Sequence, residues 1–289
     1  MDRHIVILTM DKRQEKLFQL LKGKKWYGDW VAYQSELLET ANVKEKIYVL
    51  PIPIARLDQY PQLKEKIKQE LCESNVRYRV RVFGGVLNAE WKAFFEAQQM
   101  EYWDFMQLPE IVEGNAQITA EGTVAEVLQL GQYSIQGQRV LVTGYGCCGS
   151  KIAKLFAQLG AKVLVAARRE DVRAQARKDG FAATDFENAP NALSQVHTVV
   201  NTVPSLVITE EYMRRLPKDA IIVDIASRPG GTDFDAAKRY GIQAKLALGL
   251  PGIYTTTSSA ALLKHAISQY APLLADVRED RTWIFQIII

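Results

Sequence analysis

The sequence predicts an α/β protein of two doubly wound parallel-sheet domains, with a C-terminal helix packing back on the first. Three observations carry this expectation. Short β-branched runs alternate with amphipathic helical stretches along the chain, the pattern of parallel strands whose crossover helices cover both faces. The 289 residues suffice for two domains of ordinary size. A short stretch from Glu110 to Asn115 reads as a linker between two such alternating halves. The expected division is therefore 1–115, a flavodoxin-like domain for substrate or partner, then 116–256, then a returning helix and tail at 257–289.

In order, Ile5 to Leu8 is a buried strand, and Lys12 to Leu21 a helix with Leu17, Leu20 and Leu21 inward. Ile47 to Leu50 is a core strand stopped by Pro51 and Pro53. A helix around Leu63 to Leu71, a strand from Arg79 to Phe83, and a helix from Asn88 to Gln98 after Gly84-Gly85 complete the first half. Arg77, Arg79 and Arg81 alternate on one face and read as a solvated strand face. Past the linker, Thr119 is expected to cap a helix running to Leu130. Strands follow near 139–143, 162–167, 197–201, 220–225 and 242–246, separated by helices. The last helix, about 257–271, carries Leu263, Ala266, Ile267 and Tyr270 on one face. The apolar tail Trp283 to Ile289 is expected to be buried against a second copy of the chain, or else to be a frayed end.

The turn after the first strand of the second half is Gly144-Tyr145-Gly146-Cys147-Cys148-Gly149. It follows the β-branched run Arg139 to Thr143 and opens a helix with Ile152, Leu155, Phe156 and Leu159 at i, i+3, i+4, i+7. That context turns a weak G-x-G-x-x-G match into the fingerprint of a Rossmann domain binding a nicotinamide dinucleotide. Its glycines permit the tight turn, the approach of a diphosphate and close helix–strand packing, while the helix N-terminus offers free N–H groups. About 20 residues on, where an NAD site places an acidic residue for the ribose 2′-hydroxyl, stand Ala167, Arg168 and Arg169. A guanidinium there can fork onto a 2′-phosphate, which points to NADP. The alternative is a solvated Arg-Arg opening the next helix.

The later strand ends face the nicotinamide half. Asn201, Thr202, Val203 and Pro204 offer backbone and hydroxyl contacts to the ribose. Asp224, a further expected cofactor contact, precedes Ser227-Arg228-Pro229-Gly230-Gly231, a turn that presents a guanidinium beside glycine-freed amides and suits a substrate carboxylate. Otherwise Arg228 pairs with Asp233 or Asp235. Gly249 and Pro251 lie in the next turn, before the hydroxyl run Thr255 to Ser259. That run either holds a second anion or caps the last helix.

Composition narrows the classes. Hydrophobic content of 48%, charged content of 24% and a net charge of +3 describe a globular chain with no case for nucleic-acid binding. Cys72, Cys147 and Cys148 give neither a disulfide framework nor a metal-ligand spacing, so no metal is expected. Cys147 and Cys148 read as small fillers of the glycine turn, or less simply as a redox pair lowered by the helix end. A chain running from Met1-Asp2-Arg3-His4 straight into a strand, with no span-length apolar run, suggests no leader, no membrane segment and a cytoplasmic protein.

With these motifs assembled, the chain resembles the family of dipicolinate synthase A-subunits. The resemblance covers Glu121-Gly122-Thr123 to Gly252 and is most specific at Asp224 to Phe234, Asn201 to Pro204 and Gly249 to Gly252. Ala167-Arg168 also matches the family's strand end. The N-terminal half matches loosely, around Gly84-Gly85 and Asn88. Two departures stand out: Cys147-Cys148 where the family has Arg-Thr, and Tyr254 to Thr257 where it has a Pro-Lys segment. The resemblance implies NADP-linked oxidation of a dihydrodipicolinate to dipicolinate in sporulation, beside the synthase's flavoprotein-like B-subunit. Within it, Arg228 with the Gly122-Thr123 turn would hold the dicarboxylate, and Ser227 or another hydroxyl, or solvent, would take the proton. A homo-oligomer is expected.

Two rivals remain open. An NAD(P)-dependent 2-hydroxy-acid dehydrogenase shares the plan but needs a His held by a carboxylate. His4, His197 and His265 each read as structural. A non-catalytic, NADP-binding regulatory protein fits the lack of an evident general base.

Overall fold

The computed structural model describes residues 2–8, 10–21 and 43–271. Contacts divide the chain into two compact units. One holds the described residues up to Ile111 together with those from Ala260 onward; the other is Val112–Ser259.

The first unit is a four-stranded parallel sheet of β1 (Asp2–Ile7), β2 (Val43–Val49), β3 (Arg79–Gly84) and β4 (Glu101–Asp104), in that spatial order. A flavodoxin-like sheet would show a strand reversal, and the described strands show none. Alternation along the strands sorts side chains to two cores. Tyr48, Leu50, Val80 and Val82 pack with α2 (Pro61–Arg77) and α3 (Ala89–Ala97) through Ile67, Leu71, Trp91 and Phe95. Ile47, Val49 and Phe83 face the opposite way, onto Leu17 of α1 (Lys12–Leu20) and Leu263, Ala266 and Ile267. Helices therefore cover both faces. Side-chain caps fix two helix starts: Asp11 accepts from the N–H groups of Arg13 and Gln14, and Asn88 from that of Trp91. The arginines do not form one solvated face. Arg77 ends α2, exposed Arg79 pairs with Glu101, and Arg81 is buried against Glu45 and Glu101.

The expected linker is helix. Residues 110–115 lie inside α4 (Pro109–Leu130), with proline at its first position, where the missing N–H costs nothing. Thr119 lies mid-helix rather than at a cap. Ala116, Ala120, Thr123 and Val127 are all buried at i, i+4, i+7, i+11, a core stripe that the mixed composition hid. Gly122 is there because α9 (Leu250–Tyr254) packs close: a Cβ would stand 2.8 Å from Leu250 Cβ.

The second unit's sheet holds six parallel strands: β5 (Arg139–Thr143), β6 (Lys162–Ala166), β7 (Ala182–Thr184), β8 (Thr198–Asn201), β9 (Ile221–Asp224) and β10 (Gln243–Leu246). Their order is β10-β9-β8-β5-β6-β7. Order reverses at β5, which pairs with β6 on one side and β8 on the other, so the crevice for a ligand opens at the tip of β5. Val140, Val142 and Val200 face α4, α5 (Cys147–Gln158), α6 (Glu170–Lys178) and α9. Leu141, Val199 and Ile222 face α7 (Glu210–Arg215) and α8 (Phe234–Tyr240). The edge strands β4 and β7 were not anticipated. Each is three or four residues long and lacks a β-branched run. The last helix, α10, spans Thr256–Tyr270. The apolar tail 283–289 lies outside the described residues.

Among the described residues no helix is long and apolar enough to cross a membrane, and no cluster of His, Cys, Asp or Glu could hold a metal ion.

Candidate functional site

The glycine turn leaves β5 at Gly144, whose φ of +87° belongs to the left-handed region. A Cβ there would lie 2.3 Å from Thr202 Oγ1, and one on Gly149 would lie 2.4 Å from the Gly144 carbonyl oxygen. Internal packing thus accounts for both glycines. Gly146 is different. Its φ of −83° is open to any residue, and a Cβ on it would meet nothing within 4 Å. It sits at the N-cap of α5, whose first-turn N–H groups have no partner within the helix. The missing side chain keeps clear the space where a dinucleotide's diphosphate would meet that helix end, so the residues present fit the cofactor.

Other residues of the turn serve the scaffold. The Tyr145 hydroxyl donates to Asp179 Oδ2 at 2.8 Å, and burial followed by that carboxylate raises its pKa. Cys148 packs on the core, and burial, then the neighbouring Cys147, pushes its thiol up to about 11. Burial and then the Glu113 carboxylate also raise Cys147. Both shifts oppose a redox pair, and consecutive helix positions point their Cβ atoms about 100° apart. Glu113, assigned from sequence to a linker, sits on α4 with Oε2 3.7 Å from Cys147 Sγ and an ion pair to Lys151. No local pattern marks it as part of the site.

At the tip of β6 the two arginines separate. Arg169 is ion-paired with Asp171. Arg168 is exposed and makes no ion pair among the described residues. Arg173, unremarked in the sequence, braces this tip by donating to the Ala167 and Arg168 carbonyls at 2.8 and 2.7 Å.

The tips of β5, β8 and β9 are joined by a buried polar network. Thr202 donates to the Thr143 carbonyl through both its N–H and its hydroxyl, at 3.0 and 2.8 Å. Asn201 is fully buried. Its Oδ1 accepts from Thr143 Oγ1 and the Val203 N–H, and its Nδ2 donates to the Val203 carbonyl and Asp224 Oδ1. Asp224, also fully buried, accepts from Asn201 Nδ2 (2.9 Å), Ala226 N–H (3.0 Å), Gly231 N–H (2.8 Å) and Thr232 Oγ1 (2.7 Å). Sequence reasoning expects both residues at the cofactor, Asn201 through its backbone. The structure corrects this, because their hydrogen-bonding capacity is spent inside the protein. Val203 and Pro204 continue outward from β8, with Pro204 exposed.

Asp224 thereby anchors an exposed tip, Ser227, Arg228 and Pro229, closed by a Gly230 N–H bond to the Ser227 carbonyl. Arg228 pairs with neither Asp233, which caps α8 through the Ala236 N–H, nor Asp235. It borders an open groove with Pro229, Phe234, Ala244 and Leu246, along edge strand β10. Thr123 is a second correction: Gly122-Thr123 is no turn, and the fully buried Thr123 hydroxyl donates to the Thr119 carbonyl. Gly249, with φ +69°, is the N-cap of α9, and Pro251 lies in that helix's first turn. The Pro251 carbonyl accepts from Ser259 Oγ, while Thr255 Oγ1 is shielded from solvent without a hydrogen-bond partner among the described residues.

His197 precedes β8 at the end opposite the strand tips, with its ring tilted by 59° against that of Tyr133. His265 is exposed on α10.

Comparison with known proteins agrees with this geometry. The family of the D-isomer specific 2-hydroxyacid dehydrogenase NAD binding domain matches residues 105–236. The dipicolinate synthase A-subunit of Bacillus subtilis is 32% identical over 199 residues, 69% of this chain and 66% of that protein. The crystal structure of the dipicolinate synthase A-subunit from Bacillus halodurans superposes with a TM-score of 0.75 at 25% identity, over 94% of this chain and 98% of that one. The crystal structure of its Bacillus subtilis counterpart shares the fold, with a TM-score of 0.72 at 24% identity over 93% of this chain and 95% of that one. A strand-order reversal, a glycine turn with an open middle position and these likenesses converge: the chain belongs to the family of dipicolinate synthase A-subunits and carries a domain for a nicotinamide dinucleotide.

Proposed function

We propose that this chain is the NADP-dependent oxidoreductase component of a dipicolinate synthase, oxidising a dihydrodipicolinate to dipicolinate beside a flavoprotein-like B-subunit. The observation that carries the reading is the open Gly146 position at the α5 N-terminus, together with the uncommitted Arg168 at the β6 tip. The 2′-phosphate of NADP suits that guanidinium, whereas NAD would leave it unmatched. When bound, the oxidised dinucleotide supplies a two-electron acceptor. The chain's own part is to hold a dianionic ring in place, with the exposed Arg228 receiving a carboxylate beside Ser227, since the Gly230 and Gly231 N–H groups are taken by the Ser227 carbonyl and Asp224. Proximity and orientation then supply most of the acceleration. The product is aromatic, so the ring proton needs little help to reach solvent. Sporulation, a cytoplasmic setting and a homo-oligomer belong to the same reading.

The test is NADP⁺-dependent appearance of dipicolinate absorbance from the full chain with the B-subunit and dihydrodipicolinate. No absorbance change, or equal rates with NAD⁺, would count against it. A second reading is a non-catalytic, NADP-binding regulatory protein. It is favoured by the lack, among the described residues, of a His–carboxylate pair at the strand tips. Arg228→Ala separates the two: turnover that survives the change with cofactor binding intact places the chemistry in the partner. The 2-hydroxy-acid dehydrogenase reading loses ground, because His197 lies at the wrong end of β8 to serve as its base. Turnover in a screen with glyoxylate, pyruvate and hydroxypyruvate would revive it.

A further inference from the structure

We propose that Asp224 makes the dinucleotide site selective for redox state, its buried negative charge favouring the oxidised, cationic nicotinamide over the reduced, neutral one. The inference rests on the reading above, in which the nicotinamide half lies over the tips of β8 and β9.

Hydrogen-bond donors and acceptors fix the charge. The backbone N–H of Val203 can only donate, so the Asn201 atom it meets is the oxygen, and the amide nitrogen is the atom facing Asp224. Asp224 Oδ1 therefore takes two N–H donors, from Asn201 and Ala226. Oδ2 takes the Gly231 N–H and the Thr232 hydroxyl. Four donors converge on the two oxygens, three of them N–H groups that can only donate, an arrangement that suits a carboxylate.

Among the described residues that charge has no counter-ion: Asp224 is fully buried, and no Lys, Arg or His pairs with it. A buried carboxylate is normally paired with a cation or a metal, because neutral donors only partly replace its hydration. Here the one cationic neighbour in the same turn, Arg228, is exposed and borders the groove beside β10. The glycines bring the network close to the strand tips: a Cβ on Gly230 would lie 3.0 Å from Asp224 Oδ2, and one on Gly231 2.6 Å from Asn201 Nδ2. Asp224 is the last residue of β9, so the uncompensated charge lies at the C-terminal edge of the sheet, where ligands of such folds bind. Oxidised nicotinamide carries a ring cation, and the reduced ring carries none. At an effective dielectric constant of about 20, a unit charge within about 12 Å is worth about tenfold in affinity. The site would load the oxidised cofactor and release the reduced one, at the cost of a weaker acceptor, which formation of an aromatic product can tolerate.

The experiment is calorimetric titration of the full chain, wild type and Asp224→Asn, with NADP⁺ and NADPH, and with NAD⁺ and NADH as a second pair. The wild type is expected to bind the oxidised member about tenfold more tightly. In Asp224→Asn the ratio is expected to fall toward one. A purely structural role would weaken both members alike and leave the ratio unchanged, which overturns the proposal. A wild-type ratio at or below one overturns it without any variant, so misfolding of Asp224→Asn leaves it decidable. Asp224→Glu, which keeps the charge, should retain the ratio. Binding of neither pair removes the underlying dinucleotide reading, and tight binding of both pairs with no preference for the oxidised member sinks this inference alone.

Discussion

Two of the glycine turns that follow parallel strands in this chain, those after β3 and β5, resolve the same backbone problem differently. In the first unit, Gly84-Gly85 ends β3 and is packed shut. A Cβ on Gly84 would stand 2.8 Å from Leu87 Cδ2, and one on Gly85 would stand 2.6 Å from Ile52 Cγ2. Asp104 pins that turn by accepting from the N–H groups of Val86 and Leu87. In the second unit, Asp224 pins a turn in the same way and Gly144 and Gly149 are equally crowded, but Gly146 faces open space. A glycine-rich turn after a strand therefore marks a ligand site only where the missing Cβ is explained by nothing in the protein.

Substitutions can break that contrast, beginning with the largest effect. Gly144→Ala forces a left-handed φ on alanine and drives its Cβ into Thr202. We expect a loss of about 2–4 kcal/mol in urea unfolding and no measurable dinucleotide binding. Gly146→Val is the opposite case. Stability should fall by only about 1 kcal/mol, the cost of a poorer N-cap residue, while dinucleotide affinity falls at least ~10-fold by calorimetry. Gly85→Ala completes the comparison: overpacking should cost about 1–3 kcal/mol and leave cofactor affinity untouched. If Gly146→Val bound normally, the open position would have no ligand to explain it.

Smaller effects sharpen the picture around the open turn. Arg168→Ala should weaken NADP⁺ by roughly 10-fold and spare NAD⁺, the expected loss of a charge-assisted bond to the 2′-phosphate. The pH profile tests the thiols. Burial raises the Cys148 pKa from 9.0 to about 11. Between those values the unfolded chain has lost its proton while the folded one keeps it, so folding becomes less favourable as pH rises. Thermal stability should decline from about pH 9 to about pH 11 in the wild type, and Cys148→Ala should flatten part of that slope. Smallest is Glu113→Gln, which removes an exposed carboxylate beside the α5 N-terminus and should tighten dinucleotide binding about twofold at low salt, less at high salt.

The alternation of strands and helices, the glycine turn and the basic tip of β6 are each encoded within a few residues, where period and local sterics speak directly. What misled was also local. Glu110 to Asn115 looks like a linker because its composition is polar, yet Ala116, Ala120, Thr123 and Val127 continue one buried stripe through α4. Thr123 reads as a substrate contact because a hydroxyl in a Gly-Thr pair suits a turn. A helix interior instead turns that hydroxyl back on the Thr119 carbonyl. The short edge strands β4 and β7 carry no pattern of their own and exist because a neighbour offers a ladder.

By itself the sequence determined the class of fold, the strand that carries the glycine turn and the positive side chain at the tip of β6, because each depends on periodicity or on spacing within one βαβ unit. Only the tertiary structure decided which glycine is open and which residues of the later tips are spent. Thr143 lies 58 positions from Asn201, and Asn201 lies 23 from Asp224. Hydrogen bonds over such separations form when strands from distant parts of the chain come into register, and a side chain's availability to a ligand depends on whether those partners have already taken it.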